Sequence, residues 1–214
     1  MVDYIKKPDC ITLERKCFDA ALSVDCGQSF RWKKINETDV SGIAFGKVLT
    51  FRQNADEITF LNTNSEDFEK IWVPYFDLER DYENICESFK SDSYLNRAVT
   101  ECNGIRILKQ DPWEALCSFI ISQNNNIPRI RKIVNALSET YGTKVGDLYA
   151  FPTPAQLKDV SIEEYSELKM GFRAKYVYDA VQKVLAGEID EAIVKSLPYA
   201  DAQKYLMKIK GVGP

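Results

Sequence analysis

The stretch Lys210-Gly211-Val212-Gly213-Pro214 decides how the second half of this chain folds. Leu206 and Ile209 lie at helical spacing just before it, so a helix is predicted to run into a Gly-Val-Gly turn. Pro214 is typical of the first turn of a following helix. Two helices joined in this way form a helix-hairpin-helix, whose turn amides can approach a phosphate. The alternative is an ordinary helix closed by glycine.

The same stretch predicts that the sequence is a fragment of a longer protein. The second helix of the hairpin would begin where the printed residues stop. The apolar side chains of Leu206 and Ile209 are then expected to lack a packing partner and to be exposed.

Composition narrows the class of protein. The chain has 214 residues, of which 45% are hydrophobic, so it can form one large or two small domains. It has neither a signal-peptide core at its start nor an apolar run long enough to cross a membrane. The net charge of −4 is not that of a bulk nucleic-acid binder. Residues 1–100 hold 13 of the 28 basic and 18 of the 32 acidic side chains, so a DNA-binding face would be local and mainly in the second half.

Cysteine and histidine usage restricts the possible chemistry. Six scattered cysteines form no CxxC pair, and the sequence contains no histidine. A Cys/His zinc site is therefore excluded, as are Ser-His and Cys-His catalysis within these residues. Any catalysis must use Lys, Asp, Glu, Tyr or backbone groups, and the cysteines are expected to be buried free thiols.

Hydrophobic periodicity predicts an α+β fold in two parts. The β-rich runs over residues 43–62, with a turn at Asn54-Ala55-Asp56, indicate a small antiparallel sheet. After about residue 100 the helical period dominates, and Asp111-Pro112 is a typical helix start. We expect an N-terminal α+β domain over 1–100 and an all-helical, incomplete helix-hairpin-helix domain over 101–214.

Three polar stretches carry candidate functional residues. The first is Ser122-Gln123-Asn124-Asn125-Asn126-Ile127-Pro128-Arg129-Ile130. Its amides and arginine can bind base edges, or it is simply a polar loop between helices. The second, Gly171-Phe172-Arg173-Ala174-Lys175-Tyr176, suits base stacking and phosphate binding, or is a helix start with a core phenylalanine. In Cys26-Gly27-Gln28-Ser29-Phe30-Arg31-Trp32, Gly27 permits close backbone approach, or is a loop glycine.

Taken together with the Gly-Val-Gly turn, in this order and spacing, these stretches resemble the 8-oxoguanine DNA glycosylase family of the helix-hairpin-helix glycosylases. The resemblance runs from about residue 10 to the end. It implies a DNA-repair enzyme that extrudes 8-oxoguanine opposite cytosine from a duplex and cuts its glycosidic bond, with associated AP lyase activity. It implies double-stranded DNA as partner, no metal cofactor, a monomer, and a location in the cytoplasm at the bacterial nucleoid or in a eukaryotic nucleus.

The resemblance also implies which residues bind the damaged base. Gly27 matches the residue whose backbone carbonyl attracts the hydrogen on N7 of 8-oxoguanine and repels the N7 acceptor of guanine. Gln28, Ser29 and Phe30 continue this motif.

The remaining matches lie in the second half of the chain. Asn124 matches the residue that fills the gap left by the extruded base, and Arg129 and Arg173 match the pair that binds the orphaned cytosine. Phe172 matches a stacking wedge that is tyrosine in many relatives. Gly211, Val212 and Gly213 form the turn whose amides bind phosphate.

No residue of this sequence matches the catalytic lysine and aspartate of the family, which are expected beyond Pro214. Lys208 and Lys210 precede the turn and are not assigned as nucleophiles, so this 214-residue chain is expected to be inactive. Two alternatives stay open: a glycosylase for alkylated bases, and a non-catalytic helix-hairpin-helix DNA-binding protein.

Overall fold

The structure, a computed structural model, describes residues 2–213 and divides into two compact units. The first unit extends to Gln110 and the second begins at Asp111. The first contains the sheet and the second is mostly helical, so the predicted α+β class is confirmed.

The first unit contains one six-stranded antiparallel sheet. Its spatial order is β1-β2-β6-β5-β4-β3. The strands are β1 Ile5–Lys6, β2 Cys10–Glu14, β3 Trp32–Lys34, β4 Asp39–Ala44, β5 Lys47–Gln53 and β6 Glu57–Leu61. The predicted turn between β5 and β6 is present, where the Asn54 side chain accepts hydrogen bonds from the amides of Asp56 and Glu57.

One face of this sheet supports an aromatic core. Alternation along β5 and β6 buries Leu49, Phe51, Ile58 and Phe60 on the same face. A continuous helical segment packs there, made of α2 Ser65–Asp67, a π-helical turn Phe68–Trp72 and α3 Val73–Tyr75. The core also holds the following rings: Trp32, Phe68, Trp72, Tyr75 and Phe76.

Three further helices complete the first unit: α1 Ala20–Asp25, α4 Tyr82–Ser88 and α5 Ser93–Glu101. The segment after α5 also belongs to this unit. The amide of Asp19 donates to the Gly104 carbonyl, and the Arg106 guanidinium donates to the carbonyls of Cys17 and Asp77. Because of these bonds the division between the units falls after Gln110, later than the predicted position near residue 100.

The second unit consists of six helices and a small hairpin. The helices are α6 Pro112–Ser122, α7 Ile127–Tyr141, α8 Ile162–Glu167, α9 Ala174–Leu185, α10 Glu191–Ser196 and α11 Tyr199–Leu206. The hairpin is β7 Lys144–Val145 with β8 Leu148–Tyr149, and short 3-10 turns occupy Pro154–Leu157 and Gly171–Arg173.

The predicted apolar stripes form the core of the second unit. Asp111 caps α6 by accepting from the Glu114 amide, as the Asp-Pro start predicts. The buried side chains are Cys117, Ile120, Ile121, Ile130, Ile133, Val134, Leu137, Val177, Ala180 and Val181. No helix within residues 2–213 is both long and apolar enough to span a bilayer.

Candidate nucleic-acid interface

Gly27 occupies a turn that favours glycine. Asp19 caps α1 by accepting from the Leu22 amide, and the helix ends at Cys26. Gly27 follows with φ of 91°, in the left-handed region that L side chains rarely adopt. Its backbone is partly exposed. The positive φ gives a local reason for glycine at this position, and close approach of its backbone to a damaged base stays a prediction.

Gln28 and Phe30 hold this loop in place. The Gln28 side chain accepts from the Leu108 amide at 3.0 Å and donates to the Arg106 carbonyl at 2.9 Å. Phe30 is 7% exposed, so its ring belongs to the interior. In this structure both residues position the Gly27 turn, and direct contact of either with a damaged base stays a prediction.

The side chains of the three asparagines between α6 and α7 make different contacts. The Asn125 side chain donates to the Ile121 carbonyl at 2.9 Å, and the Asn126 side chain caps α7 by accepting from the Arg129 amide at 3.0 Å. Asn124 is exposed and has φ of 46°. The loop interpretation therefore holds for Asn125 and Asn126. Their bonds fix the turn that presents Asn124 to solvent.

Arg173 lies beneath the asparagine loop rather than on its surface. It is 2% exposed, and its guanidinium donates to the carbonyls of Gln123 and Asn124, the latter at 2.8 Å, and of Met170 at 3.2 Å. Burial, and secondly the positive charge of Arg129, lower the pKa of Arg173. Arg173 thus fixes the backbone that carries Asn124.

Arg129 and Phe172 are the exposed partners of Arg173. Arg129 donates to the Lys169 carbonyl at 3.0 Å and is otherwise open to solvent. The Phe172 ring is 47% exposed, and its centroid lies 4.4 Å from the guanidinium carbon of Arg173. The structure therefore brings together the four residues predicted to bind the opposing cytosine and to wedge the duplex: two cations, an exposed ring and an exposed amide.

The Gly-Val-Gly turn follows α11 and is closed by its own hydrogen bonds. The Val212 amide donates to the Ile209 carbonyl at 3.1 Å, so it is not free for a phosphate. Within residues 2–213 the amides of Gly211 and Gly213 have no acceptor. The expectation of a phosphate contact is thus compatible with the two glycines and not with the amide of Val212 in this conformation.

Two features anchor this turn on α9. A Cβ on Gly211, whose φ is 86°, would lie 2.5 Å from the ring of Tyr176. Ile209 is fully buried, which corrects the expectation that its side chain lacks a packing partner. The turn therefore packs closely against α9 within this unit.

Asp179 on α9 is a positioning residue that the sequence did not single out. Its carboxylate accepts from the Lys210 amide at 2.8 Å and pairs with Lys183 at 2.9 Å. Lys183 also donates to the Lys208 carbonyl. Burial alone would raise the pKa of Asp179, but these hydrogen bonds and charges lower it below the usual value. The spacing of Asp179 and Lys183 on one helix face was the available signal.

Gln123 connects the predicted segments. Its side chain donates to the Gly211 carbonyl, while its own carbonyl accepts from Arg173. The asparagine loop, the turn before α9 and the Gly-Val-Gly turn therefore form one hydrogen-bonded surface. Apart from the exposed amide of Asn124, it presents hydrogen-bond donors, cations and a ring, which suits a phosphate backbone and acceptor-rich base edges. Among the described residues no group of Cys, Asp and Glu is placed to hold a metal ion.

Comparisons with known proteins identify the family to which the chain belongs. Residues 10–116 match the family model described as 8-oxoguanine DNA glycosylase, N-terminal domain. The solved 8-oxoguanine glycosylase/lyase of Clostridium acetobutylicum, in complex with double-stranded DNA containing cytosine opposite 8-oxoG, is 39% identical, with a TM-score of 0.93 over 100% of this chain and 75% of that one.

Two curated relatives are longer than the chain. The N-glycosylase/DNA lyase of Saccharomyces cerevisiae is 29% identical over 89% of this chain, and N-glycosylase/DNA lyase OGG1 of Arabidopsis thaliana is 30% identical over 90%. The chain spans 58% and 57% of their respective lengths. From the family match and the solved relative, the chain belongs to the 8-oxoguanine DNA glycosylase family.

Proposed function

We propose that the protein containing this chain is a base-excision repair enzyme that removes 8-oxoguanine opposite cytosine and then cleaves the strand as an AP lyase. The observation that carries the proposal is one surface of the second unit. Hydrogen bonds of Gln123 and Arg173 connect the Asn124 loop to the glycine turn, the Phe172 ring lies over Arg173, and Arg129 bonds the Lys169 carbonyl nearby. The identity of the lesion and the class of reaction are inferred from membership of the family.

The second unit supports duplex binding. The amides of Gly211 and Gly213, which have no acceptor within residues 2–213, are proposed to bind a phosphate, and the side chain of Lys210 is 72% exposed beside them. The exposed guanidinium of Arg129 offers only donors, and the pairing edge of cytosine offers the acceptors O2 and N3. Arg173 is the buried support of this contact, and Phe172 is the stacking surface next to the unpaired base.

The first unit supports recognition of the lesion. The turn at Gly27 leaves its backbone partly exposed, and the bonds of Gln28 fix that turn. A backbone carbonyl attracts the N7 hydrogen of 8-oxoguanine and repels the lone pair on N7 of guanine. The proposed selectivity thus rests on one carbonyl whose position is set by glycine.

The chemistry follows the family pattern. A lysine amine attacks the sugar carbon that carries the base, the base leaves, and the resulting Schiff base permits β-elimination of the strand. No residue of the present sequence matches this lysine, so the 214 residues alone are proposed to be inactive. The protein is proposed to act as a monomer on genomic DNA, in the nucleoid or the nucleus.

The test is borohydride trapping of the Schiff base on duplexes that contain 8-oxoguanine. Protein extended through the residues that follow Pro214 should form a covalent complex, and replacement of the first lysine after the turn by Gln should abolish it. The 214-residue chain should form none. Excision of alkylated bases but not 8-oxoguanine would support the first alternative, and duplex binding without excision the second. Trapping by the 214-residue chain would refute the position assigned to the nucleophile.

A further inference from the structure

Two cysteines far apart in the sequence lie in contact in the first unit. The sulfur atoms of Cys17 and Cys86 are 4.0 Å apart, although 69 positions separate them along the chain. Cys17 lies in the segment between β2 and α1, and Cys86 lies within α4. The contact therefore links two segments that no strand pairing connects directly.

The sulfur pair is accessible to small reagents. Both cysteines line a surface cavity of about 480 Å³, and both are half-buried. Lys90, Asn96 and Asn103 also line the cavity, and the Cys17 thiol donates to the Asn103 side chain at 3.3 Å. A cavity of this volume admits a molecule the size of a small ligand. By contrast, Cys117 is fully buried in the second unit, so the expectation of buried thiols holds for Cys117 and is wrong for the exposed Cys26 and Cys102.

We propose that Cys17 and Cys86 are a modification site that forms an intramolecular disulfide by exchange with a small disulfide such as oxidised glutathione. One thiolate attacks a sulfur of glutathione disulfide, forms a mixed disulfide and releases one glutathione thiol. The second cysteine then attacks the protein sulfur of the mixed disulfide and releases the other. Overall, one S–S bond breaks and one forms, two electrons pass to glutathione, and both cysteine protons end on glutathione thiols.

The short distance makes the second step favourable. A bonded S–S pair is about 2.05 Å apart, so the two sulfurs must approach by about 2 Å, which side-chain rotation at half-exposed positions can supply. Burial, and then the neighbouring Cys86, raise the pKa of Cys17, so the reaction should be slow and must be measured at equilibrium.

The test equilibrates the 214-residue chain in glutathione buffers at pH 8, first near about −190 mV and then with excess dithiothreitol. Thiols are blocked and the intact mass is measured. We expect a mass lower by two hydrogen atoms and two blocking groups at the oxidising setting than in the fully reduced chain, with full recovery in reductant. Cys26 shares a tryptic peptide with Cys17, so additional cleavage before Asp25 is needed to assign the link.

Serine variants and thermal unfolding complete the test. Cys17→Ser and Cys86→Ser should each abolish the mass loss, whereas Cys102→Ser, at an exposed cysteine, should retain it. The unmutated chain should melt at least about 4 °C higher when oxidised, because the disulfide closes a long loop. This comparison uses only the wild-type chain, so it does not depend on whether the serine variants fold. Glutathione adducts alone, a link through other cysteines, or no mass loss at equilibrium would overturn the proposal.

Discussion

Replacing Asp179 by Asn should destabilise the second unit and weaken its binding to DNA. The Asp179 side chain is 12% exposed and accepts from the Lys210 amide at 2.8 Å, next to the glycine turn. Asparagine has nearly the same size and keeps one acceptor oxygen, so the change removes the charge that the Lys210 amide and Lys183 share. The tie of the turn to α9 should weaken while the core of the unit stays packed.

The expected magnitude follows from these contacts. A hydrogen bond to a charged group is worth about 1.5–3 kcal/mol. The ion pair with the Lys210 side chain adds little, because that side chain is 72% exposed and the two atoms are 3.5 Å apart. We therefore expect the free energy of unfolding to fall by about 1.5–3 kcal/mol and the melting temperature by roughly 3–12 °C.

Asp201→Asn is the matched control, because it removes the same charge from a carboxylate that is 57% exposed on α11 and 4.0 Å from Lys204. It should change stability by less than about 0.5 kcal/mol. Both variants lose one negative charge, so a general electrostatic effect would strengthen DNA binding equally. Only Asp179→Asn should weaken it.

The pH dependence of the stability difference between wild type and Asp179→Asn tests whether the charge of Asp179 causes it. The native pKa of Asp179 lies below the ordinary value of 3.8, so the unfolded chain binds the proton more readily. The stabilisation is therefore present above about pH 4 and is lost as the pH falls through the native pKa. Wild type and Asp179→Asn should converge in urea-denaturation experiments at low pH. Equal stability of the two at pH 7, within about 0.5 kcal/mol, would refute the anchoring role.

Two further substitutions test the proposed interface. Arg129→Ala should change the free energy of unfolding by less than about 0.5 kcal/mol. In the complete protein it should reduce the preference for cytosine over adenine opposite the lesion by about 1–3 kcal/mol. An equal loss of activity against every opposing base would indicate phosphate binding instead. Gly27→Ala should cost about 1 kcal/mol of stability because of its φ of 91° and should also impair lesion affinity, measured by fluorescence anisotropy. Gly46→Ala, at φ of 70° with open space around the added Cβ, carries the same backbone strain and should leave lesion affinity unchanged.

Local patterns predicted the elements of the fold because their causes are local. The Asp111-Pro112 start, the Asn54 turn and the apolar stripes of α6, α7 and α9 depend on neighbours within a few residues. The bonds of Arg106 to Cys17 and Asp77 have no such local cause, because they join positions far apart in the sequence. Such long-range bonds leave no periodic signal in the sequence.

Long-range hydrogen bonds also limited what the sequence could predict about the candidate site. The sequence pointed to Gln28, but its partners Arg106 and Leu108 lie some eighty positions away, so its positioning role was not predictable. Among the three successive asparagines, the family resemblance singled out Asn124, but residue type alone does not separate them. The geometry adds a physical difference, because the side chains of Asn125 and Asn126 satisfy backbone groups and Asn124 is exposed at a positive φ.

The two arginines were assigned one shared task, and the structure makes them unequal. Arg173 satisfies three backbone carbonyls and is 2% exposed, so its removal would leave buried acceptors without donors and would disturb Asn124 before any contact to a base is lost. The Arg129 side chain donates to the Lys169 carbonyl and is otherwise exposed. Arg129 therefore has donors available to an opposing base, whereas Arg173 is buried and makes four bonds to carbonyls. If both bind cytosine, Arg173 must first become accessible, and each carbonyl that it exchanges for the base would loosen the asparagine loop.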